Sequence, residues 1–155
     1  MLRHCPNCKA EALKERMIAK TRKVADHTFH ALLPAQQCRS CAEVFFDGRV
    51  IGRFELQIAA SLCAAGITSG AAVAFIRKAY GMSGKDLARL LGVRAETVSR
   101  WEHAKRSIER GTYAVLHQLI SDRLHDRSAT ADYLRSLHKP KRLPRIVKLR
   151  IDRAA

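Results

Sequence analysis

Four cysteines stand in two pairs, Cys5-Pro6-Asn7-Cys8 and Cys38-Arg39-Ser40-Cys41. Thiolates in two C-x-x-C knuckles make the tetrahedral ligand set that a structural zinc ion prefers. Each two-residue gap lets one tight turn aim both sulfurs at a single metal. A spacer of 29 residues, 9–37, separates the pairs and has room for a hairpin or a small sheet. The expected cofactor is therefore Zn2+, held by Cys5, Cys8, Cys38 and Cys41. Four protein ligands close the coordination shell, so the ion would fold the unit rather than catalyse. Iron–sulfur ligation by the same four residues is the competing reading. Disulfides need an oxidising compartment, and the opening residues Met1–Cys5 lack the apolar stretch of a signal peptide. A redox C-x-x-C is expected once, beside a βαβ pattern. His4, His27 and His30 read as surface residues, and Cys63, in the apolar run 58–65, as a small buried core residue.

The second informative stretch is 83–103. Leu87, Ala88 and Leu91 make the inward stripe of one helix, Gly92 permits a sharp turn, and Val93 plugs the space between the helices. Val98 and Trp101, three apart, make the inward stripe of the next helix, and the small Ala88 suits a close crossing. Helix, glycine turn and helix at this spacing are those of a DNA-reading helix-turn-helix. Burying Val98 and Trp101 turns Ala95, Glu96, Ser99, Arg100 and His103 outward. Arg100 is the candidate for a bidentate contact with guanine, Glu96 can accept from a cytosine amine, and Ser99 suits base or phosphate. Arg94, Lys105 and Arg106 flank the second helix, and the latter two suit phosphates, which set register without reading sequence.

Charge agrees with a polyanionic partner. The chain carries a formal net charge of +15: 10 Lys and Arg against 6 Asp and Glu in 1–69, 9 against 4 in 70–121, and 10 against 4 in 122–155. Double-stranded DNA is favoured over a membrane surface. No apolar stretch is long enough to span a bilayer, and a cytoplasmic location is expected. Paired carboxylates in one motif, a glycine-rich phosphate loop and a Ser/His/Asp pattern are all missing from the sequence, so an enzyme is not expected.

These residues need elements to position them. Short strands are expected at Met17–Ala19, at Thr28–Leu33 with Pro34 closing it, and at Glu43–Phe46. Phe54, Ile58 and Leu62 recur at helical spacing, and Gly66 stops that helix. Thr68 or Ser69 caps a helix carrying Val73, Ile76, Arg77 and Tyr80, which ends at Gly81. Tyr113, Leu116, Leu119, Ile120 and Leu124 form a further stripe, with His117 and His125 at the surface. Tyr133, Leu134 and Leu137 extend the bundle or join a dimer contact. The expected fold class is α+β: a small β-rich zinc unit (1–52), a linker helix (53–69), an all-α five-helix unit with the helix-turn-helix for DNA binding and dimerisation (70–138), and a basic tail (139–155) with two prolines.

Glu96-Thr97-Val98-Ser99-Arg100-Trp101-Glu102 resembles the core of Xre/Cro-type helix-turn-helix domains. Joined to the double C-x-x-C, with Phe75–Met82 just before it, the chain resembles the MqsA/YgiT-type two-domain antitoxins over residues 5–120. The resemblance implies that the N-terminal zinc domain neutralises a partner ribonuclease toxin, and that the C-terminal domain forms a homodimer repressing the operon at a palindromic operator. Cys5, Cys8, Cys38 and Cys41 match the zinc ligands, and Ser99 and Arg100 match recognition-helix positions. The chain departs from the family at three positions. Gly84 replaces a phosphate-binding Gln, Ala104 replaces the glycine after the recognition helix, and Glu96 replaces an Asn that reads a base. A stand-alone Xre-family regulator whose zinc unit binds a different partner is the alternative.

Overall fold

The computed structural model describes residues 3–140 and 142–148. Of the basic tail at 139–155, residue 141 and residues 149–155 lie outside the described residues. Two long strands, β1 (Leu13–Val24) and β2 (His27–Cys38), form an antiparallel ribbon, and a short β3 (Val44–Phe45) adds to β2 in the order β1-β2-β3. The two-residue turn Ala25-Asp26 closes the ribbon, with Ala25 in the left-handed region at φ 49°.

Both long strands run well past the short segments expected. Pro34 does not end β2 but lies inside it, opposite Met17. It is tolerated because β3 pairs only with Gln36 and Gln37, so β2 has a single neighbour at Pro34 and its missing N–H breaks no second ladder. Val24 and Leu33 are buried on the face toward the helices, while Met17 and Leu32 are exposed on the opposite one.

Six helices follow among the described residues: α1 (Gly48–Ala64), α2 (Gly70–Tyr80), α3 (Gly84–Leu91), α4 (Ala95–Glu102), α5 (Arg110–Leu124) and α6 (Ala129–Leu137). Residues 70–138 hold five of them, α2–α6. Asp47 caps α1, accepting from the Arg49 N–H at 2.8 Å. The span 53–69 is most of α1 and the turn after it. Phe54, Ile58, Ala59, Leu62 and Cys63 form one buried stripe there and join the helical core. Tyr113 of α5 secures that turn by donating its hydroxyl to the Ile67 carbonyl at 2.7 Å. Ribbon and bundle share one apolar cluster through Val24 and Leu33. Arg22 adds to the seam by lying over the Phe75 ring, 5.8 Å from its centroid.

The last helix is held by a feature without hydrophobic periodicity. Asp122 on α5 is buried, and its Oδ2 accepts from the Thr130 N–H at 2.9 Å and the Thr130 hydroxyl at 2.7 Å. It thus performs the N-cap duty at α6 that Ser128 does not, since Ser128 instead donates its hydroxyl to Asp132 at 2.5 Å. Ala131 is buried and Leu134 packs against the core, whereas Tyr133 and Leu137 are exposed.

Candidate nucleic-acid interface and candidate metal centre

Helix α3 starts from a capping box: Ser83 Oγ accepts from the Asp86 N–H at 3.1 Å and Asp86 Oδ2 accepts from the Ser83 N–H at 3.3 Å. It ends at Gly92, whose φ of 66° is costly for a residue with a Cβ. The Val93 N–H closes the turn on the Ala88 carbonyl at 3.0 Å. Leu87, Ala88 and Leu90 are the buried residues of α3, and Leu91 is only partly covered. The expected stripe thus widens to include Leu90, because α6 as well as α4 packs on α3 and Leu90 lies beside Arg135 and His138.

Helix α4 buries Val98 and Trp101, and Trp101 is 2% exposed. Its other face carries the predicted residues. Ala95, Glu96, Ser99, Arg100 and His103 are all exposed and, with Lys105, line one open surface concavity. Arg94 is exposed at the N-cap and makes no capping bond with its side chain. Among the described residues Arg94, Arg100 and Lys105 have no carboxylate partner. Arg106 differs, since its Nη2 donates to Glu109 Oε1 at 2.5 Å. The His103 ring nitrogen Nδ1 lies 2.8 Å from the Ser99 carbonyl, which holds the imidazole against the helix end.

Two contacts fix the angle of α4, and neither has a strong sequence signature. Gly70, the first residue of α2, lies under the C-terminal end of α4. A Cβ there would lie 2.8 Å from the Glu102 carbonyl carbon and 2.9 Å from the Trp101 oxygen. Arg77 of α2 reaches Glu102 with Nε–Oε1 at 2.5 Å and Nη2–Oε2 at 3.1 Å. Arg77 stands out in the sequence only as a charge within an apolar stripe.

In the ribbon the register, Leu13 opposite Cys38, brings the two knuckles together. Their backbones match. Cys5 N–H donates to the Ala10 carbonyl and Lys9 N–H to the Cys5 carbonyl, both at 2.9 Å; Cys38 N–H donates to Glu43 and Ala42 N–H to Cys38, again at 2.9 Å. The residue after each knuckle is left-handed, Lys9 at φ 63° and Ala42 at φ 60°.

The four Sγ atoms lie within 4.8 Å of one another, and these cysteines could hold a metal ion. Cys5 and Cys41 approach to 3.6 Å and Cys8 and Cys38 to 3.5 Å, too long for disulfides. A tetrahedral ion with metal–sulfur bonds of ~2.3 Å needs edges of ~3.8 Å, so the set fits one zinc-sized ion. The same compactness leaves no room for a multi-iron cluster. Backbone hydrogen bonding from Cys41, assisted by Ser40 and opposed by burial, holds the Cys38 thiol at about 6. At Cys8 a backbone hydrogen bond at Ala10 works downward, but hydrogen bonding to Cys38 and burial outweigh it and push that thiol up to about 12. A bound cation would draw all four as thiolates. Asn7 Nδ2 donates to Cys41 Sγ at 3.8 Å, a partner that orients a ligand. His4 pairs with Glu11 at 2.8 Å and His30 meets Thr21 Oγ1 at 3.0 Å, both away from the sulfurs.

Residues 73–113 match the helix-turn-helix family model, from Val73 in α2 through α3 and α4 to Tyr113 in α5. That stretch is an Xre-type helix-turn-helix domain, which points to a DNA-binding transcription regulator. A comparison with curated proteins finds no match. No helix among the described residues is long and apolar enough to cross a membrane.

Proposed function

We propose that this protein is a sequence-specific DNA-binding repressor whose N-terminal unit is stapled by Zn2+ on Cys5, Cys8, Cys38 and Cys41. The observation that carries the reading is the α4 face, where unpaired cations and short polar side chains surround one concavity on a helix anchored by Trp101. Arg100 reads a base edge in the major groove, Ser99, Glu96, Ala95 and His103 complete the contact face, Arg94 and Lys105 hold phosphates, and Arg106 joins them by exchanging its exposed Glu109 partner for a phosphate. A homodimer would set two such helices ~34 Å apart on a palindrome, one turn of duplex.

The order of a four-cysteine unit followed by this helix-turn-helix supports a finer reading: an antitoxin that represses its own operon and binds a ribonuclease toxin through the metal unit. A stand-alone regulator would share the DNA-binding face and lack the toxin. Footprinting on the protein's own promoter tests the shared part, and no protected site would remove it. Arg100→Ala should cost about 1–3 kcal/mol of discrimination at one base pair. Co-purification with the product of an adjacent ribonuclease gene separates antitoxin from stand-alone regulator.

A further inference from the structure

We propose that the cationic segment leaving α6, carried by Lys139, Arg142, Arg145 and Lys148, is a second DNA contact that grips backbone phosphates beside α3. This inference rests on the DNA-binding reading of α4 and extends its footprint. No acidic residue occurs between Asp132 and Asp152, a stretch holding seven Lys and Arg. Two cations in the folded part of this region are already paired: Arg89 meets Asp86 at 3.5 Å and Arg135 meets Asp132 at 2.7 Å. Lys139, Arg142, Arg145 and Lys148 are exposed and have no carboxylate partner among the described residues.

Placement selects the partner. Helix α3 is the shared neighbour of α4 and α6. Met82, Asp86, Arg89 and Leu90 on the α3 side meet Arg135 and His138 of α6 around one concavity, and Lys139 follows at once. In a docked helix-turn-helix the second helix occupies the groove while the first crosses the phosphate backbone. A chain starting beside α3 therefore begins at phosphate level rather than at base level.

Spacing within the segment agrees. The four cations recur every third residue, and Pro140 and Pro144 lie between them. Extended proline-rich backbone turns once per three residues, so a segment laid straight along a duplex would project all four from one side. Leu143 and Ile146, 80% and 81% exposed, fall on another side. The free segment bends at 145–146, and lying along a duplex straightens it.

The test compares full-length wild type with a variant carrying Lys139→Gln, Arg142→Gln, Arg145→Gln and Lys148→Gln, titrated against the promoter duplex and a scrambled duplex over a salt series. These exposed positions leave the core intact, which the melting curve verifies. The salt slope of log affinity should shrink by about 3–4, with affinity for both duplexes falling by a common factor. Unchanged slope and affinities overturn the proposal, as does a loss confined to the promoter, which would mean base reading. If wild type binds neither duplex, the DNA-binding reading itself fails, an outcome distinct from wild-type binding that the variant leaves unaltered.

Discussion

Arg77 and Glu102 join α2 to the end of α4 through a two-pronged pair whose side chains are only 11% and 14% exposed. The same guanidinium donates Nη1 to the Met82 carbonyl at 2.6 Å. One cation thus ties together α2, the turn before α3 and the last turn of α4, two residues past Arg100. Arg77→Ala strands a largely buried carboxylate and should cost about 3 kcal/mol. Promoter binding should weaken in parallel, because α4 loses its fixed angle. Arg77→Lys keeps the charge but not the planar fork and should recover only part. A melting temperature for Arg77→Ala equal to wild type rules the clamp out.

Gly70 sets the same helix from below. Gly70→Ala puts a methyl group into the Trp101 and Glu102 backbone, so α2 and α4 must separate, at a cost of about 1–3 kcal/mol. Operator affinity should fall further than stability alone explains. Equal affinity per folded molecule would show that α4 tolerates the shift.

Ala104 occupies left-handed backbone at φ 55°, where a glycine would be unstrained. Ala104→Gly should raise stability by about 1 kcal/mol, read by denaturant titration, with no change in the denaturant slope. Destabilisation would mean that the added freedom of the unfolded chain outweighs the relief.

Metal removal should melt the cysteine knuckles only. The apolar cluster reaches the ribbon at Val24 and Leu33 and includes none of the four cysteines of the knuckles. A strong thiophilic chelator, or Cys38→Ser, should open residues 5–12 and 38–43 to proteolysis while the helical circular dichroism persists. Loss of the entire helical signal in one step would mean that the ribbon is required by the bundle.

Asp122 predicts an acid limb. Hydrogen bonds from the Thr130 backbone, then from the Thr130 hydroxyl and Gln118, together with the Arg127 charge, hold its carboxyl below the ordinary 3.8 against the opposing effect of burial. A lowered carboxyl stabilises the fold fully above its unfolded value, and that contribution is lost as pH falls below 3.8 toward the folded value. Asp122→Asn should lower stability at pH 7 and flatten the dependence below pH ~4, within the range where carboxylates titrate. An identical acid limb in the variant would assign that limb to other carboxylates.

Local chemistry in the sequence was enough to specify much of this protein. Cysteine spacing marks a ligand set because two sulfurs on one tight turn can meet a common point, and α4 is legible because Val98 and Trp101 fall on one helical face. Gly92 and Ser69, whose hydroxyl accepts from the Ala72 N–H at 3.4 Å, act through neighbours a few residues away, so their roles need no tertiary context. Only the folded chain decided which distant groups meet. The carboxylate of Asp122 caps a helix eight residues later, Arg77 finds Glu102 across 25 residues, and Gly70 is required by a helix end that packs against it. Pro34, expected to close a strand, lies inside one, because its tolerance depends on how far β3 extends along β2. Periodicity records which side of an element is apolar, whereas a buried polar group is positioned by a partner whose distance in the chain leaves no repeat to read.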